Sequence, residues 1–518
     1  IEKLPSGDSR LTSREYSDIV QSQIVNDVRA IHDSLWSRRQ IWDRGYRESR
    51  TPTCPALLLE LLSHQNFADM KYGLDPAFRF TVGRAVYKGM LKYLSNRYGV
   101  PYAVQPLPIE EISASFSASS KTGHTKATLK WRKRLDPIEP TAVPTGYILQ
   151  TRVDDGGFDT GRLIANVKDI DGLLSTEVEI MPGHVYSFRV IAYNDGGKSF
   201  PSETVSIGCP EDKSDETKKV LIVNNFDRIS GPTYFDTPSY AGFDNRLDSG
   251  VPYVKDIAFI GDMYQSRRCR DWNSDDNPGF GASFDDKAGI EVAGNTFDYA
   301  AVHGKAVLSA GYAFYSGSNE AFCNDTTLRA DAWTMDLICG KQVTVTDARG
   351  HQNYKVFTPE LQNAIRSFTA KGGNVLVSGA YIGTDVWDQV FPIKIDKDER
   401  KTAIEFAEKV LGFKWQGGFA GRCGNVSPFG DLSEITESMC FYNSQNTTSY
   451  CVESTDGISP ASASAETVLR YPATGVSAGI KYQGKGYRTV CLGFPIETLK
   501  TDESIDALIS SCLKYLAE

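Results

Sequence analysis

The spacing of apolar residues changes twice along this chain, and each change limits the fold more than any single motif does. Up to about residue 100 the apolar positions recur at helical spacing. In "LTSREYSDIVQSQIVNDVRAIHDSLW", Ile19, Val20, Ile24, Val28, Ile31 and Leu35 fall on one helical face. Thr12 and Glu15 have the spacing of a capping box at its start. A second helix is expected over 77–97, ending near Gly99 with basic residues in its last turns. From 111 to 209 the period becomes two: "ATLKWRKR", "GYILQTRV", "VYSFRVIAYN" and "ETVSIGC" alternate between Gly, Pro and Asp clusters. That pattern predicts a small antiparallel β-sandwich, with Trp131, Tyr186, Phe188 and Val190 in its core. From 218 onward, short apolar runs such as "KVLIVNNF" and "GGNVLVSG" alternate with amphipathic helices such as "ESIDALISSCLKYL". Alternation of that kind gives an open α/β sheet. The Gly/Asp/Tyr-rich stretch 228–290 is expected as an inserted lid or decoration.

A chain of 518 residues is too long for one core, so three regions fit its size. The expected boundaries are 1–100, a Pro-punctuated linker 101–110, 111–209, a charged hinge 210–217, and 218–518. With 41% hydrophobic and 23% charged residues the composition is globular. The net charge of −9 is spread along the chain without a basic footprint, which argues against a dedicated nucleic-acid binder. No window reaches the apolar length of a transmembrane helix, and oligomeric state cannot be read from the sequence. The chain opens at Ile1 without Met or a signal-peptide pattern, and a processed N-terminus is expected. Its ten cysteines contain no CxxC pair or zinc spacing. Cys423, Cys440 and Cys451 could bridge in an oxidising compartment, and the rest read as buried thiols.

One residue breaks the pattern of the first region. In "PALLLELLSHQNFADM", a short apolar run over 56–61 predicts a buried strand, and Glu60 stands at its end. A carboxylate is almost never fully buried without a partner. Glu60 is therefore either a structural partner of Arg47 or Arg50, or a group placed for chemistry.

The stretch from Pro55 to Leu94 resembles the C-terminal part of zinc-dependent N-acetylmuramoyl-L-alanine amidases. The matching residues are Pro55, Ala56, Glu60, Asn66, Asp69, Leu74, Asp75, Phe78, Arg79, Ala85, Gly89 and Leu94. The resemblance implies an α/β amidase-like fragment in which Glu60 is the general base, taking a proton from zinc-bound water. Asn66 matches the family's turn and reads as a substrate-side group, while His64 occupies a turn position that the family does not use as a ligand and reads as a substrate-side or supporting group. In the family two His and one Glu from an upstream half hold the zinc, and nothing before residue 55 matches that half. His32 lies on a helix face among apolar residues and reads as a packing residue. Zinc is thus expected for a full amidase domain, while this chain alone is expected to hold none.

Two further resemblances follow the chain. "HVYSFRVIAYNDGGKSFPSE" resembles the closing strands of a fibronectin type III domain, an all-β sandwich that implies no chemistry. "NVLVSGAYIGTD" resembles the strand-turn-helix elbow of class I glutamine amidotransferase-like domains, which have a flavodoxin-like open sheet. Tyr381 stands where the family's cysteine would be, and Phe494 stands in the position of its histidine. The resemblance implies a degenerate α/β domain whose crevice could still take a ligand along Ser378, Tyr381 and Asp385. Secreted bacterial proteins with this three-part layout are often labelled xanthan lyase, although neither an (α/α) toroid nor a β-helix is visible here. The expected function is therefore a secreted, periplasmic or envelope-associated peptidoglycan amidase with accessory domains. The alternative is a non-catalytic protein that binds or scaffolds peptidoglycan or another glycan, and a polysaccharide lyase is a third reading.

Overall fold

A computed structural model describes residues 10–64, 66–117, 126–211, 218–267, 282–284, 286–346, 351–388, 396–432 and 435–518. The fold is multidomain-like and mixed α/β, with one large mixed sheet and several small ones.

Three helices organise the N-terminal region: α1 (Leu11–Ile31), α2 (Phe67–Gly73) and α3 (Pro76–Tyr98). Helix α3 starts on the Asp75 side chain, which accepts from the Ala77 amide, and ends on Gly99 at φ +64°. A left-handed residue there closes the last turn at no side-chain cost. Helix α1 begins one residue before Thr12, with Arg10 at its N-cap making no side-chain capping bond, so the capping box does not set its start. The helix ends at Ile31, which leaves Leu35 beyond it and exposed. Val20, Ile24 and Val28 pack against Phe78, Val82 and Ala85. A Cβ at Gly89 would lie 2.8 Å from Val20 Cα, so only glycine permits this crossing. His32 packs here as expected, buried, with Nε2 2.9 Å from Thr81 Oγ1.

The strand expected over 56–61 does not form: those residues lie in no helix or strand. Backbone N–H and C=O groups need a ladder partner to make a buried strand, and none of residues 10–64 or 66–109 is in a strand. Leu57, Leu61 and Leu62 lean on the helical core, while Leu58, Leu59 and Glu60 face solvent.

The second region has two antiparallel sheets around a shared core. Strands β1 (Glu110–Phe116), β2 (Lys126–Arg132) and β4 (Leu173–Glu179) form one; β3 (Gly146–Val153), β5 (Val185–Asn194) and β6 (Val205–Gly208) form the other. Trp131, Tyr186, Phe188 and Val190 are buried between them, as the period-two pattern requires.

In the third region five strands run parallel: β7 (Lys219–Asn224), β8 (Ala313–Ser318), β9 (Ala332–Gly340), β10 (Asn374–Gly379) and β13 (Arg488–Leu492). Their spatial order is β8-β7-β9-β10-β13, with the first strand between the second and third. Two antiparallel strands, β12 (Ser477–Gln483) and β11 (Ala465–Arg470), extend the far edge. The near edge, β8, is covered by the sandwich: Ser113 bridges Gly317, and the Ser206 amide donates to Ser316 Oγ at 2.6 Å. Covering an edge strand this way prevents stray pairing.

The stretch 228–290 carries small antiparallel sheets, among them Tyr240–Asp244 with Met263–Arg267. It braces the helical region. Tyr264 OH donates to His64 O at 2.7 Å, and the Phe67 and Phe243 rings meet at 5.3 Å. The helical region also grips the sandwich. Lys88 is buried on α3, 3.1 Å from Asp27 and 3.5 Å from Glu139. The hinge residues 212–217 lie outside the described residues.

Candidate functional site

In an open parallel sheet the chain reverses winding direction beside its first strand, and the loops there leave a crevice. Here that point lies between the C-terminal ends of β7 and β9. The residues leaving β7 are Asn224, Asn225, Phe226, Asp227 and Arg228; those leaving β9 are Lys341 and Gln342.

The inner part of this crevice is filled by the protein itself. Arg228 pairs with Asp248, and its Nη1 donates to Lys341 O at 3.0 Å. Lys341 Nζ lies 2.9 Å from Asp248 and 2.6 Å from Glu453. Arg228, Asp248 and Lys341 are buried and Glu453 is half-buried. Burial alone would raise the Asp248 carboxyl, but Arg228 and Lys341 hold it well below the usual range. Cys451 adjoins the network, with Sγ 2.9 Å from Glu453 Oε1, and burial pushes its thiol up. A thiol held protonated is a poor nucleophile. Cys423, Cys440 and Cys451 are free thiols, so the bridge allowed for among them is not formed.

The outer lip carries three carboxylates. Asp227 and Glu320 are exposed and Glu203 is half-buried. Asn224 Nδ2 donates to Glu203 at 2.7 Å, and Gln342 donates to Asp227. Burial, with Glu320 nearby, pushes Glu203 up to about 8.

The elbow after β10 buries its side chain against the network that fills the crevice, close enough for Tyr381 to feel the charges of Asp248, Glu453 and Arg228. Tyr381 packs inside the apolar core, and its hydroxyl has no hydrogen-bond partner among the described residues. Ser378 is also buried, and its Oγ has no partner among the described residues. Asp385 is buried too. It accepts from the Thr344 amide at 2.6 Å and the Val356 amide at 2.9 Å, so it locks two loops. No residue of 379–383 has a positive φ, whereas a nucleophile elbow is a sharp, strained turn. The turn that follows is tied down by a buried carboxylate. Asp456 accepts from the Gly383 amide at 2.6 Å, the Thr384 amide at 2.8 Å and Thr384 Oγ1 at 2.6 Å. Burial lifts that carboxyl to about 7.

In the N-terminal region, Glu60 is exposed and makes no ion pair to Arg47 or Arg50 among the described residues. His64 is exposed, and Asn66 is the N-cap of α2, accepting from Ala68 at 2.9 Å and Asp69 at 3.4 Å. Neither Glu60 nor His64 lies in a helix or strand. Nor do the residues present fit a zinc ion: no three His, Cys, Asp or Glu among the described residues converge as a ligand set.

The sequence reading missed the β7 and β9 exits. A visible signal was there: polar residues, Asn-Asn-Phe-Asp-Arg, directly follow the apolar run "KVLIV". It also missed a buried ion cluster behind the sheet. His303 Nδ1 lies 2.7 Å from Asp336 and its Nε2 3.4 Å from Glu497, which also accepts from Tyr450 at 2.7 Å. These residues are far apart in sequence, so no local pattern marks them.

No family model matches the chain, and no curated protein matches it. Among solved structures, it is similar to a cytoplasmic protein from Salmonella typhimurium at 10% identity and TM-score 0.30, over 57% of this chain and 98% of that one. It is similar to the fibronectin type III domain of the human fibronectin type III domain containing protein 3 at 26% identity and TM-score 0.16, over 23% of this chain and 99% of that one. An exo-β-1,4-mannosidase from Opitutaceae bacterium strain TAV5 is similar at 9% identity and TM-score 0.26, over 42% of this chain and 30% of that one.

Proposed function

We propose that this chain is a non-catalytic envelope protein that binds or scaffolds glycan. On this reading, a fibronectin type III-like sandwich and a glutamine amidotransferase-like α/β domain act as rigid supports. The observation that carries the reading is the elbow. Tyr381 is buried where a nucleophile would be presented, and Asp456 ties down the Gly383 and Thr384 amides of the turn that follows. A charge-stabilising hole needs free donors aimed at the reacting oxygen.

Peptidoglycan amidase activity with Glu60 as base is the second reading. It is favoured by one observation: Glu60 is solvent-facing and free of the arginine partners that a structural role would give it. Against it, a general base works only when held in place, and Glu60 lies in no helix or strand. The test is to incubate the full chain with muramoyl-peptide and with glutamine, with and without added zinc, and to measure released amine or ammonia. The proposal expects none above background. Release that Glu60→Gln abolishes would replace it with the amidase reading.

Among the described residues no helix is long and apolar enough to cross a membrane. Placement in the envelope, periplasm or medium belongs to the proposal.

A further inference from the structure

Four aromatic rings form a row across the junction of all three regions. Phe80 on α3 meets Phe200 of the sandwich at 6.0 Å between ring centroids. Phe200 meets Tyr253 of the α/β insertion at 5.8 Å, and Tyr253 meets Phe297 at 5.8 Å. Rings that only glue domains together are normally covered. These are not: Phe80 is 40% exposed, Phe200 48% and Tyr253 39%. Exposed Val254, Ile257 and Phe259 continue the apolar surface beside them. Contiguous exposed apolar surface of this kind on a soluble chain marks a place of contact.

The backbone under the row is strained in two places. Val254 and Phe297 both have φ +57°. A β-branched or bulky residue there is a true outlier, and such conformations persist only where the surroundings enforce them, commonly at ligand clamps. Hydrogen bonds enforce both. The Val254 amide donates to Asn295 O at 2.9 Å, and the Gly294 amide donates to Val254 O at 2.8 Å. The Thr204 amide donates to Phe297 O at 2.9 Å. The strain holds Tyr253 and Phe297 on the surface.

Planar polar groups flank both ends of the row. At one end Arg152 makes a two-pronged contact with Asp298 at 2.5 and 2.7 Å. Beside it Arg189 stacks over Phe158 at 3.7 Å, near enough to act on the Tyr253 phenol, and its Nε has no partner among the described residues. At the other end Arg79 pairs with Asp256 at 2.5 Å and lies over Phe259 at 5.2 Å.

We propose that this row is a binding surface for an uncharged glycan strand of hexose or N-acetylhexosamine units. The inference rests on the glycan-binding reading above and gives it a location. A sugar ring has an apolar face and a polar rim. Aromatic rings in file suit the first, and forked donors and acceptors along the sides suit the second. Successive rings are tilted by 43–51° to one another, so they do not share one flat plane. The acidic and basic groups at its ends are largely paired with each other, which leaves hydrogen bonding without a strong local field. The chain's net charge of −9 repels a polyanion.

The test is retention of the full chain on chitin and on cellulose, with gel retardation by xanthan as the polyanionic arm. Phe200→Ala and Tyr253→Ala should weaken retention on at least one uncharged polymer roughly tenfold, the scale of one aromatic contact. Phe200→Leu keeps an apolar cover over the junction but removes the ring, so it should weaken retention as much. A role in domain adhesion alone predicts that Phe200→Leu binds like the parent. Phe429→Ala removes an exposed ring elsewhere and should bind like the parent. If the parent is retained and all row variants are retained equally, the surface is wrong and the glycan-binding reading survives. If the parent is slowed by xanthan alone, the uncharged strand is wrong and the glycan-binding reading survives; if none of the three polymers holds it, both fall.

Discussion

Glu60 and Tyr381 both mark sites that sequence resemblance points to, and the structure treats them in opposite ways. Glu60 stands outside any helix or strand, facing water. Tyr381 follows a fully hydrogen-bonded central strand and is sealed in the core. The first side chain is reachable but not held; the second is held but not reachable. Reaction chemistry needs both conditions at one atom. The comparison teaches that a motif marks where a chain would put a group, while the neighbouring backbone decides whether the group can act there.

The sharpest way to break this contrast is to open the filled crevice. Lys341→Ala leaves buried Asp248 and half-buried Glu453 with one cation fewer. Stripping one partner from a buried ion network costs about 3–5 kcal/mol, so the α/β transition in a denaturant titration should shift by that order. A shift under about 1 kcal/mol would mean that the crevice is wetter and more open than described.

Next in size is pH. Burial alone would lower His303, but Asp336 and Glu497 raise it from 6.5 to about 10. A raised pKa stabilises the fold fully below the unfolded value, and the contribution is lost as pH climbs through the folded value. Stability should therefore fall between pH 6.5 and about 10, by a few kcal/mol in all. The elevated Glu203 and Asp456 act in the same direction below pH 8. Asp248, held low, acts oppositely and matters only in strong acid. Thermal melts across this range check the sign, and a rise in stability toward pH 10 would contradict the buried imidazolium.

Tyr381→Phe should be smaller. It removes a buried hydroxyl that has no partner among the described residues, so stability should hold or rise by about 1 kcal/mol. Glu60→Gln should be smallest, within about 0.5 kcal/mol, as expected for an exposed group outside any network. A large loss on Glu60→Gln would show the structural arginine partnership that the described residues lack.

The period of the apolar residues carried the sandwich and the alternating sheet, because those patterns are set by the side of each element that is buried. Trp131, Phe188 and the helix ending at Gly99 lie where the spacing puts them. The run 56–61 misled because a strand is made by its neighbours as much as by its own residues. The crevice was legible only by its position, at the end of an apolar strand. Its content was not, because Arg228, Asp248, Lys341 and Glu453 are joined by charge across more than two hundred residues, which no periodicity records.

The central claim is that the chain holds glycan without cutting it. One co-sedimentation experiment tests it directly: the full chain is mixed with insoluble peptidoglycan, and bound protein and newly released amine are measured in the same tube. The account predicts protein in the pellet and no amine above the blank. Amine that rises with time, and disappears with Glu60→Gln, would contradict it.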